Sequence, residues 1–129
     1  ARLAQADPAE AEALLVRALE MQRRLFKRDH ADLAATLNEL ALCRLARGDA
    51  LAEAAARESL DMYTRLFPDG HGGRGLAMTT LALSLDARGQ GAEAAKLARE
   101  AEDMVLRFEP SNGPNARRVL ESRRALERP

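Results

Sequence analysis

Leu40-Ala41-Leu42-Cys43-Arg44-Leu45-Ala46-Arg47-Gly48 recurs as Leu81-Ala82-Leu83-Ser84-Leu85-Asp86-Ala87-Arg88-Gly89, 41 positions further along the chain. Self-similarity at such a period marks stacked units, each burying its apolar face only against its neighbours. Other landmarks keep the register, with His30 answered by His71 and Met21 by Met62 and then Met104. The opening Ala1-Arg2-Leu3-Ala4-Gln5-Ala6-Asp7 reads like Cys43-Arg44-Leu45-Ala46-Arg47-Gly48-Asp49. The chain is therefore expected to open inside a repeat, near the end of a helix.

The segments between these landmarks carry a helical period. Asp7-Pro8-Ala9-Glu10 has a capping residue, a proline suited to the first helical position and a carboxylate able to reach back. From there Leu14, Leu15, Ala18, Leu19, Met21, Leu25 and Phe26 recur at three-and-four spacing. Asp32 is the expected cap of a second helix bearing Leu33, Leu37, Leu40, Ala41, Leu42 and Leu45, which Gly48 ends. A third helix is predicted from about 51 to 67, stopped by Pro68-Asp69-Gly70, a fourth over about 74–88 and a fifth over about 92–108. Ser111-Asn112-Gly113-Pro114 breaks the chain before a last helix over about 114–127, whose many arginines and glutamates suit the closing of an open stack against water.

Composition narrows the function classes. A chain of 129 residues, 47% hydrophobic and 31% charged, holds one domain. Its apolar stretches are interrupted by charge or glycine every few residues, far short of the roughly 18 a membrane span needs. Nothing resembles a secretory signal. Lysine plus arginine and aspartate plus glutamate balance at 20 each, so no global field selects polyanions or membrane surfaces. The single cysteine, Cys43, lies in a helical apolar pattern and reads as a small hydrophobe, which fits an intracellular, cytoplasmic setting. With 3% aromatic residues and abundant alanine, close packing of helices over small side chains is expected, and strands are not.

Two helices of similar length per unit, Leu-x-x-Leu-Ala-Leu before a glycine and then an alanine-rich second helix, resemble the tetratricopeptide repeat. His30-Ala31-Asp32 leading into Leu37-Asn38-Glu39-Leu40-Ala41 is similar to the kinesin-light-chain variety, which reads His-Pro-Asp and then Leu-Asn-Asn-Leu-Ala. The chain departs from it at Ala31, at Glu39, and in the second copy at His71-Gly72-Gly73-Arg74-Gly75 and Thr79-Thr80. The resemblance implies an all-α, right-handed solenoid of about six helices. It divides the chain into the end of an incomplete repeat (1–30), two repeats (31–71 and 72–113) and a capping helix (114–129). In bacteria such repeats are often fused to kinase, nucleotide-hydrolase or protease-like domains, and the alanine- and arginine-rich composition suits a GC-rich bacterial source.

Residues with candidate chemistry each have a plainer role. Gly70-His71-Gly72-Gly73-Arg74-Gly75 matches G-x-G-x-x-G, but a dinucleotide site needs a strand before the glycines, and a helix precedes them here. A permissive inter-repeat loop is the better reading. His30 and His71 fill the same slot of consecutive repeats and, with helices spaced about 8–10 Å, cannot share an ion. Each reads as a loop histidine that hydrogen-bonds locally and orients the helix it precedes. Ser59, Ser84, Ser111 and Ser122 lack a nucleophile elbow, and no histidine is placed beside Cys43. The clusters Arg23-Arg24-Lys27-Arg28 and Arg117-Arg118-Arg123-Arg124 lack interleaved aromatics, so nucleic acid is disfavoured and a solvated helix face expected.

What remains is the surface that the resemblance assigns to the first helix of each pair, the concave groove. Carried onto this sequence, it comprises Asn38, Glu39, Leu42 and Leu45, then Thr79, Thr80, Leu83 and Asp86. Asn38 stands where the family's first asparagine holds a peptide backbone, and Thr79 is its counterpart. The lysine and arginine clamp of chaperone-binding members is absent from these positions. The sequence thus points to a non-catalytic module of a larger protein, without cofactor or metal, that lodges a protein or peptide segment in the groove. Self-association or a spacer role, through an apolar face of Leu14, Leu15 and Leu19, is the alternative, and a regulatory domain on a kinase or nucleotide hydrolase a distant third.

Overall fold

In the computed structural model, residues 7–127 are described and form six α-helices with no strand among them. The helices are α1 (Pro8–Phe26), α2 (Ala31–Ala46), α3 (Ala52–Leu66), α4 (Gly72–Ala87), α5 (Gly91–Leu106) and α6 (Pro114–Leu126). The expected repeat of Ala1-Arg2-Leu3-Ala4 lies outside the described residues. Three of the six helices start on a side chain that caps their free amides. Asp7 Oδ1 accepts from the amides of Ala9 and Glu10 at 2.9 and 3.0 Å, with Pro8 at the first helical position.

The two repeats begin with an unusual and shared cap. His30 Nδ1 accepts the Asp32 amide at 3.0 Å, and His71 Nδ1 accepts the Gly73 amide at 2.9 Å. An accepting Nδ1 carries no proton, which fixes each ring as the Nε2–H tautomer. Each ring lies flat on a phenylalanine from the end of the previous helix, Phe26 at 3.7 Å and Phe67 at 4.0 Å between centroids. Two expectations need correction. Asp32 is not the cap of α2 but donates its amide to His30, because the ring is held in place by stacking. Gly72, Gly73 and Gly75 are not loop residues, since the His71 cap starts α4 at Gly72.

Packing follows the repeat. α2 lies against α3, α4 against α5, and α4 also touches α3, α6 and α2, so that α2, α4 and α6 share one layer and α1, α3 and α5 the other. Ala34, Ala41, Ala56, Ala82, Ala94 and Ala101 are fully buried at these crossings, where small side chains let backbones approach. Gly75 takes this furthest, for a Cβ there would meet Ala101 O at 3.0 Å and Val105 Cβ at 3.1 Å. α6 contributes Ala116 and Val119 to the core and turns its charged side outward.

The same ionic staple joins successive layers twice. Arg47, just past α2, pairs with Glu12 on α1, and Arg88, just past α4, pairs with Glu53 on α3, both partners shifted by the 41-residue period. Arg57 also reaches Glu53 at 3.0 Å. Hydrogen bonds from Arg88, then Arg57, hold the Glu53 carboxyl below its ordinary value.

Candidate functional site

α2, α4 and α6 present one common face. In a flat layer spaced about 8–10 Å per helix, α2 and α6 would stand roughly 16–20 Å apart. Yet Arg118 on α6 comes within 3.8 Å of Glu39 on α2, across the intervening α4. The two long side chains thus span the intervening helix, and this ion pair crosses the common face of the layer.

Helical spacing puts positions 38, 42 and 45 of α2 on one stripe and their equivalents 79, 83 and 86 of α4 on another. The stripes are not uniformly open. Glu39 is exposed and Leu42 and Leu83 are half-buried. Asn38 and Thr79 are only 3% exposed, and Thr80 1%. These three expected groove residues therefore lie beneath the surface of the face rather than open on it. Thr80 also donates its hydroxyl to Leu76 O at 3.2 Å. By contrast, Asn38 Oδ1 and Thr79 Oγ1, one period apart, are buried without a hydrogen-bond partner, a costly condition for a polar atom.

Leu45 and Asp86 stand apart from the others. Leu45 lines a shallow cavity of about 270 Å³ at the helix ends with Ala52, Glu53, Ser84 and Arg88. Asp86 lies by the turn into α5, its Oδ1 3.7 Å from where a Cβ on Gly91 would be.

A residue packed between the two layers is not marked by the repeat pattern. Tyr63, on α3 in the outer layer, lies over Gly73 of α4, where a Cβ would fall 2.6 Å from the ring. Burial first, then the charges of Asp32 and Glu39, raise its hydroxyl above the ordinary tyrosine value. The phenol is thus felt by two carboxylates of α2, and a glycine opposite an aromatic one repeat earlier was the only available signal.

The chemistry weighed in the sequence takes structural roles. Cys43 Sγ donates to Pro8 O at 3.1 Å, and burial raises its thiol above the ordinary value. Among the described residues no three histidine, cysteine, aspartate or glutamate side chains converge as a metal set. The glycines of the formal G-x-G-x-x-G are filled by protein, Gly70 by Phe108 and Met104, Gly72 by Glu109 and Asn115, and Gly75 by Ala101 and Val105, leaving no phosphate cradle. Three of the eight cluster cations are engaged by carboxylates, Arg23 by Glu58 at 2.8 Å, Arg118 by Glu39 at 3.8 Å and Arg123 by Glu102 and Glu127 at 3.1 Å. No helix among the described residues is long and apolar enough to cross a membrane.

This all-α stack of helix pairs defines a tetratricopeptide-like helical-repeat protein. A tetratricopeptide repeat family model matches residues 1–63, which supports that family. No curated protein matches the chain. Tetratricopeptide repeats are in general non-catalytic modules that mediate protein–protein interaction.

Proposed function

We propose that this chain is a non-enzymatic interaction module of a larger, cytoplasmic multidomain protein, of the kinesin-light-chain variety and bacterial origin, and that it holds a peptide segment on the inner face of α2, α4 and α6. The observation that carries this reading is the combination found on that face: two half-buried leucines, Leu42 and Leu83, one period apart, beside an exposed carboxylate and guanidinium, Glu39 and Arg118. Apolar contacts flanked by a few charges are what orients a peptide in a groove. The unpaired Asn38 Oδ1 and Thr79 Oγ1 lie just beneath and gain a partner if ligand or water reaches them.

Peptide-array binding tests it, comparing the native chain with Leu83→Glu, Glu39→Arg and Asn38→Ala. The apolar-to-charged change at Leu83 abolishes most signals, and Glu39→Arg redistributes them towards acidic peptides. Unchanged binding by Leu83→Glu and Asn38→Ala together removes the groove from consideration.

A further inference from the structure

The turn between α1 and α2 carries positive charge that the repeat does not require. A cavity of about 280 Å³ is lined there by Arg23 of α1, by Lys27, Arg28 and Asp29 of the turn, by Leu33 of α2 and by Met62 of α3. Two of its four ionic side chains are already engaged. Arg23 pairs with Glu58 of α3 at 2.8 Å, and Arg65 of α3 holds Asp29 through bonds of 2.6 and 3.1 Å. Lys27 and Arg28 are exposed and have no carboxylate partner among the described residues. One period on, Arg23, Lys27, Arg28 and Asp29 are answered by Thr64, Pro68, Asp69 and Gly70, so the same turn forms without the basic set. Lys27 is also the one non-glycine residue among those described with a positive φ, 60°, and the other positions of that kind are Gly48, Gly70 and Gly89. A left-handed helix end favours glycine, so lysine there keeps a charge at the cavity against the preference of the backbone.

We infer that this cavity binds the phosphoryl group of a phosphorylated serine or threonine on a partner peptide, with Lys27 and Arg28 as its direct ligands and Leu33 and Met62 as an apolar floor. Charge and size choose this occupant. A phosphomonoester carries about −1.5 to −2 at pH 7, which the two free cations offset. The cavity lies below the roughly 300–1,000 Å³ of sites for whole small molecules and suits a single side chain. A long polyanion fits poorly, because Glu58 and Asp29 flank the free cations and no aromatic side chain lines the cavity for base stacking. None of these residues belongs to the inner-face stripes of α2 and α4, so the inference stands apart from the peptide reading of that face.

The probe is a short labelled peptide with one phosphoserine among alanine, glycine and leucine residues, titrated into the full chain by fluorescence anisotropy beside its unphosphorylated counterpart. Saturable binding of the phosphorylated form alone is expected, displaced by inorganic phosphate, which also shifts the amide resonances of residues 27–29. Lys27→Gly with Arg28→Ala weakens it about tenfold or more, as loss of charge-assisted hydrogen bonds does. Glycine suits the left-handed backbone at 27, so a folding defect does not account for that loss. Lys96→Gln with Arg99→Gln, two exposed cations of α5, removes the same charge elsewhere and leaves binding intact. Equal binding of the two peptides, or equal loss in both pairs of variants, overturns the inference. So does capture by phosphatidylserine vesicles that the Lys27 and Arg28 pair of changes abolishes, since a membrane would then be the occupant. Loss of peptide-array binding by Leu83→Glu leaves this test intact.

Discussion

Gly73→Ala tests how α4 packs on α3. By helix propensity the change is favourable, by up to about 1 kcal/mol. The structure opposes it, since the new Cβ would stand 2.6 and 2.8 Å from two ring carbons of Tyr63, whereas carbon atoms settle at about 3.5–4.0 Å. The ring must retreat by roughly 1 Å. It has little room, being packed with Met62, Leu33 and Leu37 and stacked near His71 at 5.9 Å. Overpacking of this kind costs about 1–3 kcal/mol, so a net destabilisation of about 1 kcal/mol is expected. In a Tyr63→Leu background the overlap is gone and the same substitution becomes neutral or stabilising. Urea unfolding of the four proteins of the cycle reads the coupling directly, with an expected interaction of about 1 kcal/mol or more. Gly73→Ala stabilising the native chain, or acting equally in both backgrounds, would falsify the placement of Tyr63 over α4.

Because the chain has one tyrosine and no tryptophan, phenolate absorbance titrates Tyr63 alone. Its midpoint is expected above the ordinary value of about 10 and closer to it in Glu39→Gln, and an unmoved midpoint separates the hydroxyl from α2. Since this value is raised on folding, the associated stability is complete below the ordinary tyrosine range and is lost as pH climbs through the folded value. Glu53 has the opposite sign: its lowered value adds stability above the ordinary glutamate range, which disappears as pH falls from about 4.3 through the folded value. Glu53→Gln should flatten that acid limb in thermal melts, and an identical slope in the two proteins would contradict the staple. His71→Ala should cost about 1 kcal/mol or more through loss of the cap and the Phe67 stack, with His71→Asn recovering the cap portion in urea melts.

How far the sequence could be read depended on whether a feature is periodic. The alternation of helices and their order follow from apolar spacing and from the glycines and prolines between units, and six helices stand where that spacing puts them. The histidines illustrate the same legibility, because a lone polar residue in the same slot of two units implies a local task, and both serve as caps. Repetition carries no information about what lies in the third dimension between repeats. Asn38, Thr79 and Thr80 sit beside Leu42 and Leu83 in projection, yet they are buried. A helical wheel separates faces by angle and does not say which of two neighbouring angles a further helix will occupy.

The glycines around position 73 show the limit from the other side. Their spacing alone suggested loop or phosphate chemistry, and only the position of Tyr63, Ala101 and Val105 reveals that they are the price of close helix approach. Comparison of equivalent positions then supplies what neither periodicity nor a single contact gives. Met21 and Met62 share a register and differ in exposure, 63% against 4%, because α2 covers only the second. The same logic applies to Arg24 and Arg65, where one guanidinium is engaged and its equivalent is not. In a repeat protein each unit is a control for its neighbours, because each packs through the same nearest-neighbour contacts.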